Sequence, residues 1–168
     1  EKVLYSQDFS DLTTETLKKE GLTYAINSAI GQNGFAEVKT DETTGNKYFE
    51  LGKSVNGGMN FQYNFANYIG ANTSFNVYFK LKPSVYSSPV EINFLSRYKL
   101  WRATANATDY YINHWDDGTD EPAFNTPEAL EKAVKLGAIS DFTEFKIEVD
   151  LTAQTTNLYI GGEKIYEN

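Results

Sequence analysis

The sequence predicts an all-β fold, a two-layer antiparallel β-sandwich with one or two short helical insertions, and three observations lead there. Aromatic residues make up 15% of the chain, nearly all of them Tyr and Phe, which suit the pleated surface of strands. Short runs alternate apolar and polar residues with period two. Gly, Pro, Asn and Asp gather between those runs, where turns need them. A hydrophobic content of 40% over 168 residues is enough to close a core and too high for disorder. The length fits a single domain over 1–168, and no segment repeats at a fixed period or reads as a linker.

Taken in order, the alternating runs are VLYSQDF (Val3 to Phe9), YFELG, NFQYNF, SFNVYFKLK, VEINFL, FKIEVDL and NLYI. In TEFKIEVDL, the side chains of Phe145, Ile147, Val149 and Leu151 share one face and Lys146, Glu148 and Asp150 the other, as on an antiparallel strand wetted on one side. SFNVYFKLK sorts in the same way, with Phe75, Val77, Phe79 and Leu81 opposed to Asn76, Tyr78, Lys80 and Lys82. The double glycine of SVNGGM predicts a hairpin or loop, beside an aromatic row of Phe61, Tyr63 and Phe65 expected in the core. NTPEALEKAVKLG predicts a helix over 127–136, with Thr126 as N-cap, Pro127 in the first helical position and Gly137 just past the end. TTETLKKEG, from Thr13 to Gly21, predicts a second helix of about two turns, too short to persist unless it is packed.

Composition excludes several function classes. A formal charge of −8 and a pI near 4.7, without any cluster of Lys or Arg, oppose binding to nucleic acid or to an anionic membrane. The absence of cysteine removes disulfides, thiolate nucleophiles and thiolate-bound metals. No apolar run approaches the roughly 18 residues of a membrane-spanning helix, and EKVLYSQDF has no basic end followed by an apolar region, as expected of an excised or matured domain. Abundant Asn and Thr with few Arg resemble secreted bacterial surface and polysaccharide-degrading proteins, so the expected location is secreted or at the bacterial cell surface.

A family resemblance lies in the closing segment, FTEFKIEVDLTAQTTNLYIGGEKIYEN. It resembles the end of concanavalin A-like jelly-roll domains, in which a strand ending in Val-Asp is followed by a turn, an LYING-like strand and a glycine-containing hairpin. Here Gly161 and Gly162 stand where Asn-Gly is more usual. LYSQDF and GNKYFELG are similar to the opening strands of such domains in secreted carbohydrate-active enzymes. The resemblance implies a jelly roll and a carbohydrate context, as part of a larger secreted multidomain enzyme.

Jelly-roll glucanases carry ExDxxE on their catalytic strand, so that acid and nucleophile flank one glycosidic bond. This chain has Glu148-Val-Asp150-Leu-Thr152 and then Ala153, without the second glutamate. The Arg-rich strand and the Gln-x-His strand of jelly-roll lyases are also missing, although Arg97, Arg102, His114 and the tyrosines Tyr98, Tyr110 and Tyr111 are residue types for proton abstraction from an acidic sugar. The lone His114 has no GxSxG nucleophile to serve, and no glycine loop for phosphate is present. The chain therefore reads as a non-enzyme that requires no cofactor. A lyase or hydrolase, and a structural or adhesive surface domain, are the alternatives.

RYKLWRATANATDYYINHWDDG, from Arg97 to Gly118, holds both arginines, both tryptophans and the only histidine. Sugar rings stack apolar C–H faces on Trp and Tyr, and their hydroxyls pair with planar polar groups. Arg97, Trp101, Arg102, Tyr110, Tyr111, His114, Trp115 and Asp116 are the expected polysaccharide- or oligosaccharide-binding residues. Adjacent Tyr110 and Tyr111 point to opposite faces of a strand, so only one of them belongs to a core. The five-residue spacing of Arg97 and Arg102 likewise opposes them on an uninterrupted strand. HWDDGTDEP offers Asp116, Asp117 and Asp120 as hard oxygen ligands for a structural calcium, without the spacing of an EF-hand. Asp8 and Asp150 are a second candidate pair, because related jelly-roll modules hold calcium near the chain ends.

Overall fold

The computed structural model describes residues 2–13, 15–16, 22–26, 34–53, 59–63, 66–84, 89–115 and 124–167. The fold is mostly β with antiparallel pairing throughout, and its backbone contacts divide it into two compact units, Glu1–Ala71 and Asn72–Asn168. No helix among the described residues is long and apolar enough to cross a membrane.

The first unit contains β1 (Leu22–Ile26), β2 (Gly34–Thr40), β3 (Lys47–Lys53), β4 (Met59–Tyr63) and the one-turn helix α1 (Ala66–Ile69). β1 pairs with β4, and β2 forms a hairpin with β3. Asp41 nucleates that hairpin. Its Oδ1 accepts from the amides of Thr43 and Thr44, its carbonyl accepts from Gly45 N, and Gly45 adopts φ 74, which a residue with a Cβ resists. Lys39 pairs with Glu50 across the two strands.

The opening run Val3 to Phe9 is not a strand, although its alternation predicts one. Gln7 Oε1 accepts from Phe9 N at 2.7 Å and Asp8 Oδ1 from Ser10 N at 2.9 Å, so local side chains occupy amides that a ladder would need. Phe9 sits at φ 64 and its ring stacks 6.2 Å from Phe49, while Lys47 Nζ reaches the Leu12 carbonyl. Most of the helix expected from Thr13 to Gly21 lies outside the described residues, as do the SVNGGM loop before Met59 and the side chains of the Phe61 row.

The second unit is built from two four-stranded antiparallel sheets. One meanders through β6 (Val90–Phe94), β7 (Ser96–Arg102), β8 (Asp109–Trp115) and β9 (Val134–Ala138). The other joins β10 (Thr143–Asp150), β11 (Thr155–Ile160) and β12 (Glu163–Glu167) as a second meander, and β5 (Ser74–Leu81) pairs with the open side of β10. Alternation sends Phe145, Ile147, Val149, Leu158 and Ile160 inward from this sheet, and Tyr98, Leu100, Tyr110 and Ile112 inward from the other, into one shared core in a sandwich-like arrangement. Ser96 and Thr156, both buried, share a 2.7 Å hydroxyl bond between the layers, which satisfies two polar groups there.

The predicted helix is shorter than its pattern. α2 (Pro127–Lys132) has the expected Thr126 cap, whose side chain accepts from Ala129 N. It ends where Ala133 turns extended, and Val134–Ala138 becomes β9 on the edge of β8. Pairing with β8 supplies those residues with a hydrogen-bond ladder that one further helical turn would not improve. Gly137, at φ 77 beside a register shift, absorbs the bulge in that pairing.

Candidate functional site

The sequence-predicted site is divided between the two faces of the β6–β9 sheet. β7 and β8 pair Arg97 with Trp115, Lys99 with Asn113 and Trp101 with Tyr111 on the outer face. Tyr98 with His114, Leu100 with Ile112, and Arg102 with Tyr110 lie on the inner face. The opposed orientations expected for Tyr110 and Tyr111, and for Arg97 and Arg102, follow from this register.

Trp101, Tyr110 and Trp115 are only 1%, 3% and 6% exposed, which corrects the expectation that they offer open platforms for a sugar. The outer face, which alternation alone leaves wet, meets Phe124 and α2 around Lys99 and Asn113, while Arg97 on the same face stays exposed. Asn113, itself buried, accepts from Trp101 Nε1 at 2.6 Å and donates to the Ala129 carbonyl at 2.9 Å, tying the helix to the sheet. Trp101 stacks on Tyr111, with ring centres 5.2 Å apart. The Lys99 ammonium lies 5.2 Å from the Trp115 ring centre and 5.9 Å from that of Phe124, so the faces of these rings meet the protein's own groups.

Arg102 spends its planar fork on backbone, donating to the carbonyls of Ala107 and Ser84 while its guanidinium lies over the Tyr110 ring. Tyr110 in turn donates to the Pro83 carbonyl, and burial raises its pKa against the opposing effect of Arg102. Arg97 is exposed, Tyr111 half-buried, and His114 packs against the rings of Tyr98 and Tyr166. Asp116, Asp117 and Asp120 lie outside the described residues. Asp150 Oδ1 caps the β10–β11 turn by accepting from the amides of Thr152 and Ala153. Asp8 is held below its ordinary pKa by its bonds to Ser10. Among the described residues, no three His, Asp or Glu side chains gather to hold a metal ion.

A different surface brings polar and aromatic side chains together: the outer face of the β5–β10–β11–β12 sheet. The register aligns Tyr78, Lys146 and Tyr159 in one row across three strands, and Asn76, Glu148 and Asn157 in the next. Tyr78 is 48% exposed. The Lys146 ammonium stands 4.6 Å from the Tyr159 ring centre and 5.9 Å from that of Tyr78, and bonds Glu148 Oε1 at 2.5 Å. Glu148 Oε2 accepts from the Tyr159 hydroxyl at 2.8 Å and from Asn157 Nδ2 at 3.5 Å. The Lys146 bond, then that from Tyr159, lowers the Glu148 pKa, and the same bond to Glu148 raises that of Lys146. Glu148 thus stays ionised and bonded, the opposite of the raised carboxyl that a general acid needs.

These residues are visible in sequence only as the wet sides of separate strands. The signal that marks them is a tyrosine among polar residues on the outward positions of SFNVYFKLK and of TTNLYI. Comparison of the chain with protein families, curated proteins and solved structures finds no match.

Proposed function

We propose that the chain is a non-catalytic carbohydrate-binding module of jelly-roll type, carried by a secreted bacterial polysaccharide-degrading protein, and that it holds its glycan on the outer face of β5, β10 and β11. The observation that carries this reading is the double row, in which a half-exposed ring lies beside amide and carboxylate groups fixed by their neighbours. Sugars need that combination of an apolar platform and planar hydrogen-bonding partners. The bonds already made among Lys146, Glu148, Tyr159 and Asn157 hold the polar groups in place before ligand arrives, which reduces the entropy lost on binding. The jelly-roll wiring and the secreted context rest on the resemblance of the terminal segments.

Affinity electrophoresis in gels cast with neutral and acidic polysaccharides tests the reading. Retardation by at least one glycan is expected, with its loss in Tyr78→Ala, a half-exposed position whose variant should keep the wild-type circular dichroism. No retardation by any glycan, or full retardation of the folded variant, would overturn it. The second reading, a structural surface domain that binds no sugar, is favoured by the burial of Trp101 and Trp115 and expects the first of those failures.

A further inference from the structure

We infer that the ligand is an uncharged, extended polysaccharide lying across the strands rather than along them, and covering about three sugars, one for each of β5, β10 and β11. This rests on the binding reading above and adds its charge class, direction and length. Charge gives the first part. The cations nearest the double row are matched by acids: Lys146 bonds Glu148 and Lys164 lies 3.5 Å from Glu167, whereas Lys80 and Lys82 lie further along the β5 chain, on the side of Tyr78 away from the Asn76, Glu148 and Asn157 row. Neither Lys146 nor Lys164 stands clear of a carboxylate to pair with a uronate or sulfate, and a chain of formal charge −8 repels polyanions at longer range. What the face offers is a ring and neutralised donors and acceptors, which complement hydroxyls and apolar C–H faces.

Direction and length come from the register. Tyr78 and Tyr159 both align with Lys146 from opposite sides, so they stand two strand spacings apart, ~9.6 Å. A single pyranose ring is about one strand spacing across and cannot touch both. The row of Asn76, Glu148 and Asn157 runs parallel to the ring row, two residues further along each strand, or ~7 Å. A sugar chain laid along the rows meets Tyr78 with its ring face, and its hydroxyl edge meets the amide and carboxylate row along its whole length. A chain turned along the strands meets only one of the two tyrosines.

The test uses isothermal titration calorimetry on the whole chain with cello-, manno- and xylo-oligosaccharides of increasing length, at low and high salt. Polygalacturonate and alginate serve as acidic probes. Affinity for one neutral series should rise at least about tenfold from monosaccharide to trisaccharide, flatten beyond it and ignore salt. Tyr78→Ala should remove at least about tenfold of the trisaccharide affinity, and Asn157→Ala should weaken the trisaccharide more than the monosaccharide. Binding confined to the acidic probes and weakened by salt, or equal affinity for one sugar and three, overturns the inference. If such binding still depends on Tyr78, the reading of the face survives that failure. Absence of binding to every probe removes both.

Discussion

Replacing Asn113 by Ala should loosen α2 from the β6–β9 sheet, and the size of the effect follows from two hydrogen bonds. The variant leaves Trp101 Nε1–H and the Ala129 carbonyl without the partners they have at 2.6 and 2.9 Å, in a region where Trp101, Asn113 and Ala129 are all at most 3% exposed. Each buried group stripped of its partner costs about 1–3 kcal/mol, and water entering the vacated space recovers part of that, so a loss of about 3 kcal/mol is expected. For a chain of this size the melting temperature should fall by ~6–12 °C. Thermal and urea unfolding followed by Trp fluorescence would measure it, since Trp101 reports directly. Asn113→Asp sharpens the test. Its ionised carboxylate can accept from Trp101 but gives nothing to the Ala129 carbonyl and buries a charge, so it should be worse than Ala at neutral pH and recover on acidification. A midpoint for Asn113→Ala within about 1 °C of wild type would refute the idea that this amide latches the helix.

The other predictions concern the core and its margins. Phe145→Ala, at a fully buried ring stacked 5.3 Å from Phe79, should cost about 3–5 kcal/mol in urea unfolding. Tyr166, whose pKa burial pushes up to about 12 from 10.0, favours folding below pH 10 and loses that contribution as pH rises towards 12, so Tyr166→Phe should flatten the alkaline fall in stability. The Glu148 carboxyl lies below its ordinary 4.5, so its contribution holds above that pH and fades as pH falls further; Glu148→Gln should show a shallower acid decline in the urea midpoint. Gly137→Ala has room for the methyl group but must hold φ 77, and should lower stability by about 1–2 kcal/mol in the same assay.

Strands with one wet face were the legible part of this chain. SFNVYFKLK, VEINFL, TEFKIEVDL and NLYI all became strands because alternation records the difference between core and water directly. SRYKLWR misleads in part. Arg97, Tyr98, Lys99 and Leu100 alternate and Arg97 is exposed, but Phe124 and α2 lie against the outer face beyond it, so Lys99 and Trp101 are as hidden as Tyr98 and Leu100. The same cover explains why tryptophans that read as sugar platforms pack against Asn113, Tyr111 and Lys99.

Sequence by itself determined the β class, the strands of TEFKIEVDL and NLYI, the capped start of α2 and the opposition of Tyr110 to Tyr111, because each depends on neighbours within a few residues. Tertiary structure decided the rest. It ended α2 at Lys132 so that Val134–Ala138 could pair with β8, and left Val3 to Phe9 outside any ladder, with Phe9 at φ 64 and its ring stacked on Phe49. It also placed Tyr78, Lys146 and Tyr159 in one row. That row depends on the register between strands far apart in the chain, and register is set where inward-facing side chains interlock in the core, not by the outward residues it aligns.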